Sequence, residues 1–342
     1  MKKPLLILLP LLLAAAVAPV RSSPSTGPAA PVRVNLLVDG IGKIRSFPAV
    51  LAERLGYFGD EGLLVTLVEI RDDIPTDEML VDGRIDAAMA YYHHTIVSQA
   101  AGRLTEAIVT LGVTPGARVL VATASRDKFK SLADLKGSRI IAGGPGSSKT
   151  AIANALLIKG GNSIADYTRL APEERDKILQ ALQQGKADLV VAPNPDGDYY
   201  QSKGAAVVFA DLTTPEQTRR WFGTLFPTNC IYMSNAFAQA HRETAQRLAN
   251  AFVKTLRFIN THRPEEIAAL MPKEFAGKDK KAYIAALTEE MPMFATDGLM
   301  PDGAAKTEWE ILAAGNPRYK AVDLAKTYTN EFAAAALARS HP

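Results

Sequence analysis

The sequence predicts an α/β protein of two lobes, each a mainly parallel sheet flanked by helices. Short apolar runs alternate with helical segments from residue 32 onward, a rhythm typical of parallel sheets covered by helices. The rhythm begins again near residue 118, and strong helical segments continue after residue 225. We therefore expect one lobe from residues 32–118 and 225–342, with residues 119–224 inserted into it as a second lobe.

The first 22 residues are typical of a secretory signal peptide. A basic start, MKK, precedes an apolar run and then a stretch of small residues. The apolar run is shorter than the ~20 residues of a membrane span, and an uncleaved anchor is the alternative. We expect cleavage after Ala16 or Ser22, a Pro- and Ser-rich linker over residues 23–31, and a periplasmic location for the mature chain.

The charge argues against a nucleic-acid-binding protein, and the cysteine content excludes a protein stabilised by an intramolecular disulfide. The formal net charge of +3 falls to 0 without residues 1–22, which hold Lys2, Lys3 and Arg21 and no acidic residue. No broad basic surface remains, so we expect no nucleic-acid partner. The single cysteine, Cys230, excludes an intramolecular disulfide, and we expect it to be buried as a small apolar residue.

The elements of the first lobe follow from apolar periodicity. Strands are predicted over residues 32–38, 63–70 and 86–92, with helices over 46–58 and 76–85 between them. Ser46 is a candidate N-cap of the first helix. Another helix starts near residue 95, and residues 104–112 continue the alternation.

The second lobe begins with the β-branched run 118–125. A turn and a strand lead to a helix over residues 147–161, which a pair of glycines ends. A helix over 172–186 and strands over 187–194 and 205–212 follow. The chain then returns to the first lobe with its longest helix, 234–264, and further helical segments.

Residues 142–150, AGGPGSSKT, differ by one residue from a nucleotide-binding loop. The pattern G-x-x-x-x-G-K-[ST] requires glycine where this chain has Ser148, and an exported protein meets little ATP. The glycines instead let the backbone approach a ligand, and the helix start presents free N–H groups to an anion. We predict ligand contacts from Gly146, Ser147 and Ser148, with helix capping by either serine as the alternative.

The loop after the first strand supplies two further candidates. Arg45 has the side chain for a bidentate pair with a carboxylate, sulfonate or phosphate, and a solvated loop arginine is the alternative. Phe47 either stacks on the ligand or fastens the first helix to the core.

Aromatic residues mark the end of the third predicted strand. One or two rings among Tyr91, Tyr92, His93 and His94 are expected to line a cleft, and the others to pack into the sheet. Adjacent residues diverge on a strand or a helix, so His93 and His94 are poorly placed to chelate one ion, and we expect no metal.

Two later segments complete the candidate site. Asn194 and Asp196 follow a second-lobe strand, at the end where cleft residues lie in open α/β sheets. Thr228 and Asn229 lie where the chain returns to the first lobe, and they are predicted as hinge or ligand contacts. Simple turns are the alternative for both pairs.

Four segments together resemble a known family: LAERLGYFGDEGLLVTLVE, LVDGRIDAAMAYYHHTIVSQAAGR, LADLKGSRIIAGGPGSSKTAIANALL and ILQALQQGKADLVVAPNPD. These segments are similar to motifs of periplasmic solute-binding proteins of ABC importers. The first resembles their Gly-Tyr-Phe run, and the second resembles the Leu-x-x-Gly-x-x-Asp motif that joins a helix to a strand. The third resembles their Asp-Leu-Lys-Gly turn with its Gly-Ser-rich helix start, and the fourth resembles the corresponding helix-to-strand motif of the second lobe. The group most similar to this chain binds nitrate, sulfonates, taurine or thiamine-type pyrimidines.

The resemblance implies a type II two-lobe periplasmic-binding-protein fold with two crossover segments. It also implies a small anionic or heteroaromatic ligand gripped between hinged lobes, and a membrane permease with its cytoplasmic ATPase as partners. Some members of the group are pyrimidine synthases that use a Cys-rich motif, and a chain with one cysteine lacks that chemistry. We expect a monomer without a cofactor.

Enzymatic activity is not expected, because the sequence holds no G-x-S-x-G elbow, no H-E-x-x-H motif and no setting for a reactive cysteine. Two alternatives stay open from the sequence. An exported sensor would use the same lobe closure to signal to a membrane kinase, and an exported enzyme would draw its catalytic residues from distant positions.

Overall fold

Ten strands in the described part of the chain form two five-stranded sheets. The computed structural model describes residues 30–42, 44–69, 75–144, 147–172, 174–193, 195–277 and 279–339, and the predicted signal peptide lies outside them. The strands are β1 Val32–Val38, β2 Leu63–Glu69, β3 Ala87–Tyr91, β4 Thr105–Thr110, β5 Ala117–Ala122, β6 Arg139–Ile141, β7 Thr168–Leu170, β8 Leu189–Pro193, β9 Ala206–Leu212 and β10 Asn229–Ser234.

Helices cover both sheets. They are α1 Phe47–Arg54, α2 Tyr57–Asp60, α3 Thr76–Val81, α4 His93–Ala100, α5 Ser148–Lys159, α6 Arg175–Gln183, α7 Asp196–Ser202, α8 Pro215–Phe222, α9 Asn235–Ala240, α10 Arg242–Thr261, α11 Pro264–Leu270, α12 Lys273–Ala276, α13 Lys280–Glu290, α14 Ala304–Gly315 and α15 Glu331–Arg339. Short 3-10 turns include Ile44–Ser46, Met291–Met293 and Pro317–Ala321. No helix in the described ranges is both long enough and apolar enough to span a bilayer.

The two sheets share one topology. The first has the strand order β2-β1-β3-β10-β4 and the second β7-β6-β8-β5-β9. In the first, β1 pairs in parallel with β2 and β3, whereas β10 is antiparallel to β3 and β4. In the second, β6 pairs in parallel with β7 and β8, whereas β5 is antiparallel to β8 and β9. Each sheet therefore has four strands in one direction and one in the other, which confirms the predicted α/β class.

Alternation along the strands fills a core on both faces of each sheet. In β1, Leu36 packs into the core beneath α1 and α10, while Leu37 joins the core on the α14 side. In β5, Val119 and Leu120 likewise belong to cores on opposite faces of the second sheet. Successive side chains of a strand point to opposite faces, so strands buried on both faces have nearly continuous apolar sequences.

Several element boundaries differ from the predictions. The helix predicted over residues 46–58 breaks at Gly56, whose φ of 73° the α-helix does not accept, and it becomes α1 and α2. The long predicted helix breaks at His241 between α9 and α10. Strand β10 was not predicted, because all six of its residues are buried and show no alternation.

Two crossover segments lie side by side between the sheets. The Phe226 amide donates to the Val113 carbonyl at 3.0 Å, and the Thr228 amide donates to the Gly112 carbonyl at 2.9 Å. The Val113 amide in turn donates to the carbonyl of Met293 at 2.8 Å. Both sheets belong to one compact unit that begins at Pro31. The lobe boundaries near residues 118 and 225 stay a prediction.

Candidate functional site

A cavity of about 540 Å³ opens between the two sheets where their strands end, and we call it the Arg45 cavity. The lobe of the first sheet contributes Arg45 and Tyr91 to its lining, and the second lobe contributes Ser148, Lys149 and Pro193. Tyr91 ends β3 and Pro193 ends β8. The carboxyl ends of parallel strands share one edge of a sheet, which is where ligands bind in open α/β folds.

Arg45 is held in place through its backbone. It lies in the 3-10 turn Ile44–Ser46, immediately before α1. The buried side chain of Asn229 donates to the Arg45 carbonyl at 2.9 Å, and the Ser46 hydroxyl donates to the Asp39 carbonyl at 3.4 Å. The turn is thereby fastened to β10 and to the end of β1, and the half-buried guanidinium lines the cavity.

At the start of α5, the structure distinguishes helix capping from a place in the cavity lining, two roles that the sequence left open for Ser147 and Ser148. Ser147 is the N-cap, because its hydroxyl accepts the Thr150 amide at 3.2 Å and donates to the Ala142 carbonyl at 3.0 Å. Ser148 is the first residue of the helix and lines the Arg45 cavity together with Lys149. The positive end of the helix and the lysine therefore face the same space, an arrangement that favours an anion.

Glu290, at the end of α13, adds a titratable group to the same lining. Burial raises the pKa of Glu290 to about 7, the Arg45 guanidinium opposes this rise, and the neighbouring Glu289 adds to it. Asp39 also lines the cavity. The site thus combines two cationic side chains with two carboxyl groups, one of which changes charge near neutral pH. Apolar contacts are available from Ile44, Ile152 and Met293.

A second cavity, of about 550 Å³, lies on the other side of α5, and we call it the His93 cavity. Within the described part of the chain, it shares no lining residue with the Arg45 cavity. Its lining from α5 comprises Ser147, Thr150, Ala151 and Asn154, whereas Ser148, Lys149 and Ile152 face the Arg45 cavity. Residues three and four apart lie on one helix face, so the helical period divides the predicted serine pair between two cavities.

The structure corrects the predictions for Phe47 and Tyr92. Phe47 is fully buried in the core, with its ring edge-on to Phe294 at a centroid distance of 5.0 Å. Tyr92 is also fully buried, and its hydroxyl lies 2.6 Å from the Thr327 hydroxyl. Neither ring has a surface left for a ligand. Of the two adjacent tyrosines, Tyr91 lines a cavity and Tyr92 belongs to the core.

His93 and His94 lie in the first turn of α4, which begins at residue 93 and not at the predicted residue 95. Their rings are tilted against each other at a centroid distance of 4.3 Å, and both line the His93 cavity. The described part of the chain holds no group of three His, Cys, Asp or Glu side chains that fits a metal ion.

Thr228 and Asn229 do not contact either cavity, which corrects their prediction as ligand contacts. Thr228 is fully buried in the crossover, where its hydroxyl donates to the Thr114 carbonyl at 3.3 Å. Asn229 is buried behind Arg45 and orients that residue's turn. Asn229 Oδ1 has no hydrogen-bond partner among the described residues.

One other predicted residue, Asp196, does not line either cavity, and two more lie outside the described residues. Asp196 is the first residue of α7, and its carboxylate pairs with the Arg175 guanidinium at 2.7 Å, outside both cavity linings. Gly146 and Asn194 lie outside the described residues. Cys230 is fully buried, as expected for a small apolar residue.

Sequence reasoning missed three charged residues of the Arg45 cavity, which are Asp39, Lys149 and Glu290. Lys149 was treated only as part of an incomplete nucleotide loop, although its place in the first turn of α5 was itself a signal. Glu290 follows an apolar helix far along the chain, and no local pattern connects it to Arg45.

Comparison with known proteins identifies the family and supports the fold. The family model described as NMT1/THI5 like matches residues 44–267. A solved protein of Bordetella bronchiseptica RB50 is 30% identical, with a TM-score of 0.72 over 91% of this chain and 98% of that one. Two further solved structures are more distant. The aliphatic sulphonate binding protein SsuA of Escherichia coli is 20% identical, with a TM-score of 0.61 over 84% of this chain and 88% of that one. The nitrate-binding protein NrtA of Synechocystis PCC 6803 is 12% identical, with a TM-score of 0.60 over 91% and 89%.

A search of curated protein sequences finds no match. The family model and the solved structures confirm the two-lobe α/β fold and the resemblance that four sequence segments predicted.

Proposed function

This chain belongs to the NMT1/THI5-like family, and from that premise we propose that it is the extracytoplasmic solute-binding component of an ABC importer. The Arg45 cavity carries the proposal, because it lies between the lobes at the strand ends of both sheets. A ligand there contacts both lobes and so favours the closed arrangement, which a permease distinguishes from the open one.

The proposed ligand is a small organic solute with an anionic group. Arg45, Lys149 and the start of α5 supply positive charge, while Ile152 and Met293 supply apolar surface. Sulfonates and nitrate, named for the structural relatives, and taurine and thiamine-type pyrimidines are the compounds to test first. The volume of about 540 Å³ accommodates an organic body larger than an inorganic anion alone.

Export, partners and the lack of catalysis belong to the same proposal. The mature chain begins after the predicted signal peptide, works in the periplasm as a monomer, and delivers its ligand to a membrane permease with a cytoplasmic ATPase. No reaction is required for this role. The relatives named for sulphonate and nitrate binding support it, because their names describe binding and no catalytic activity.

A thermal-shift screen of the mature chain tests the proposal. We expect ethanesulfonate, taurine, nitrate or a thiamine-type pyrimidine to raise the melting temperature, since a ligand at 100 times its Kd stabilises the folded state by about 2.7 kcal/mol. Arg45→Ala should abolish the shift, and Lys136→Ala, which changes an exposed lysine, should keep it. The proposal is contradicted if none of these compounds raises the melting temperature, or if a compound raises it equally in the wild type and in Arg45→Ala.

A further inference from the structure

The His93 cavity takes no part in the function proposed for the Arg45 cavity, although it is equally large. It lies between α4 of the first lobe and α5 of the second, and α14 closes it. The side chain of Ile311 on α14 packs into the core of the second sheet, while Leu312 packs with the first. A molecule in this cavity therefore contacts structure that belongs to both lobes.

Its charge differs from that of the Arg45 cavity. Arg169 and Arg318 line it, and none of the aspartates or glutamates that the structure describes does. Both arginines are exposed. The Arg169 side chain has no ion pair or hydrogen bond with the described residues, and the Arg318 guanidinium donates to the Tyr319 hydroxyl at 2.8 Å. By contrast, Arg139 and Arg175 of the same lobe are each paired with an aspartate. Two guanidinium groups without a carboxylate partner thus face one cavity.

His93 forms part of the cavity wall. Its side chain is only 7% exposed, and its Nδ1 lies 3.5 Å from the buried Oε1 of Glu308. The imidazole nitrogen is thus directed at Glu308 on α14, and the charged groups that face the cavity are the two arginines.

The remaining walls are mixed, because Ser147, Thr150, Asn154 and Asn316 line the cavity as well as apolar side chains. Ile164 of the second lobe and Ile311 and Leu312 of α14 line the cavity together with the Tyr319 ring. Cavities of this size usually hold an organic ligand, with most of the surface apolar and a few polar groups that fix its orientation. Guanidinium groups match the planar geometry of carboxylates better than a lysine does.

We propose that the His93 cavity is a second ligand site, which takes an organic carboxylate with an aromatic or branched apolar body. Arg169 and Arg318 hold the carboxylate, and Ile164, Ile311 and Leu312 cover the apolar part. The site goes beyond the proposed solute-binding function, since it requires neither the Arg45 cavity nor its ligand. Its occupant links α4, α5 and α14.

Tryptophan fluorescence of the mature chain provides the test. The chain has two tryptophans, and Trp221→Phe leaves Trp309, whose indole N–H donates to the carbonyl of the cavity residue Tyr319 at 2.7 Å. The probe is naphthoate, with uncharged naphthamide and inorganic phosphate as comparisons. We expect naphthoate to bind at least ~10-fold more tightly than naphthamide, because a charge-assisted hydrogen bond contributes about 1.5–3 kcal/mol. Phosphate should bind more weakly than naphthoate.

Variants locate the site. Arg169→Gln with Arg318→Gln should weaken naphthoate binding ~10-fold or more, whereas Arg126→Gln, which changes an exposed arginine of the same lobe, should leave it unchanged. Lys149→Ala alters only the Arg45 cavity and should also leave naphthoate binding unchanged. Circular dichroism shows that each variant is folded, and a crystal soaked in naphthoate gives a readout that needs no variant.

The outcomes separate this inference from the proposed function. No naphthoate binding, equal binding of naphthamide, unchanged affinity in the double variant, or loss only with Lys149→Ala would each overturn the second site. None of these results touches the thermal-shift screen or its Arg45→Ala control. Electron density for naphthoate between Arg169 and Arg318 is the supporting result.

Discussion

His93 Nδ1 lies 3.5 Å from Glu308 Oε1, and both side chains are buried between α4 and α14. Both carboxyl oxygens of Glu308 lack a hydrogen-bond partner among the described residues. Burial raises the pKa of Glu308 well above its ordinary value of 4.5 and lowers the pKa of His93 to about 4. Burial thus favours the uncharged form of each group, a neutral histidine and a protonated carboxyl group.

The first prediction concerns the pH dependence of stability that this pair creates. A raised acid pKa contributes stability that is complete below the unfolded pKa and is lost as the pH rises toward the folded pKa. A lowered histidine pKa acts in the opposite sense, since stability is lost as the pH falls from about 6.5 to about 4. The Glu308 effect is the one that costs stability with rising pH, and it begins above the ordinary glutamate pKa of 4.5.

Glu308→Gln removes this effect, because the amide mimics the protonated acid at every pH. We expect its melting temperature, relative to that of the wild type, to increase as the pH rises above about 4.5, by roughly 2 °C or more in total. Glu310→Gln, an exposed control on the same helix, should show no such growth. A Glu308→Gln protein that is less stable at every pH would instead indicate a charged ion pair.

Local sequence rules predict some residues of the candidate site and not others. Arg45, Tyr91 and Ser148 follow from general rules, because strand ends and helix starts meet at the cleft edge of an α/β sheet. The choice between Tyr91 and Tyr92 depends on the residue at which β3 ends, and propensity does not resolve a boundary to one residue.

Other contacts of the fold depend on tertiary structure alone. Glu290 reaches the Arg45 cavity from α13, and the pairing of α14 with both lobes joins segments that lie far apart in the chain. The antiparallel strand β10 was missed for a related reason: burial on both faces removes the alternation that marks a strand. Patterns within a segment carry no information about which distant segment covers it.

The second prediction separates capping from ligand binding at the start of α5. Ser147→Ala removes the hydroxyl that accepts the Thr150 amide, and it should lower the free energy of unfolding by about 1 kcal/mol. Ser148→Ala leaves the cap intact and should change stability little, while it weakens binding of ethanesulfonate in the Arg45 cavity. Denaturant unfolding measures the stability of the two variants, and calorimetry measures their affinity for ethanesulfonate. The interpretation is wrong if Ser148→Ala lowers the stability and Ser147→Ala weakens the binding.

The third prediction concerns the crossover segments. A Cβ on Gly112 would lie 2.1 Å from Thr228 Oγ1, so Gly112→Ala requires one crossover to move away from the other. We expect a loss of roughly 2 kcal/mol or more in the free energy of unfolding, as for other overpacked sites. Gly59→Ala in α2, where nothing lies within 4 Å, is the matched control and should cost nothing.

Thr228→Ala removes the clashing oxygen and provides a second check on this interpretation. In the double variant with Gly112→Ala, the loss of stability should be smaller than the sum of the two single losses, because the two residues share one contact. Additive losses in chemical denaturation would show that the Gly112 effect has another cause.

The fourth prediction is a pH dependence of ligand affinity set by Glu290. Burial raises the pKa of Glu290 to about 7, so the carboxyl group is neutral below that pH and negatively charged above it. Glu290 and Arg45 line the same cavity, and a carboxylate there repels an anionic ligand and offsets part of the attraction of Arg45. Ethanesulfonate stays ionised throughout this range, so a change in its affinity reports the protein alone.

We expect the Kd of ethanesulfonate to rise by roughly 3- to 10-fold between about pH 6 and pH 8, as a coupling of 1 kcal/mol or slightly more would produce. Glu290→Gln should remove the slope and keep the tighter affinity at both ends, because its amide is uncharged at every pH. Glu289→Gln, which changes the adjacent exposed carboxylate outside the cavity lining, should retain the slope but displace it toward lower pH, because Glu289 adds to the raised pKa of Glu290. Calorimetric titrations of the three proteins at several pH values measure this Kd. If the Kd of the wild type does not change with pH, or if it still changes in Glu290→Gln, Glu290 is not the group that controls the affinity.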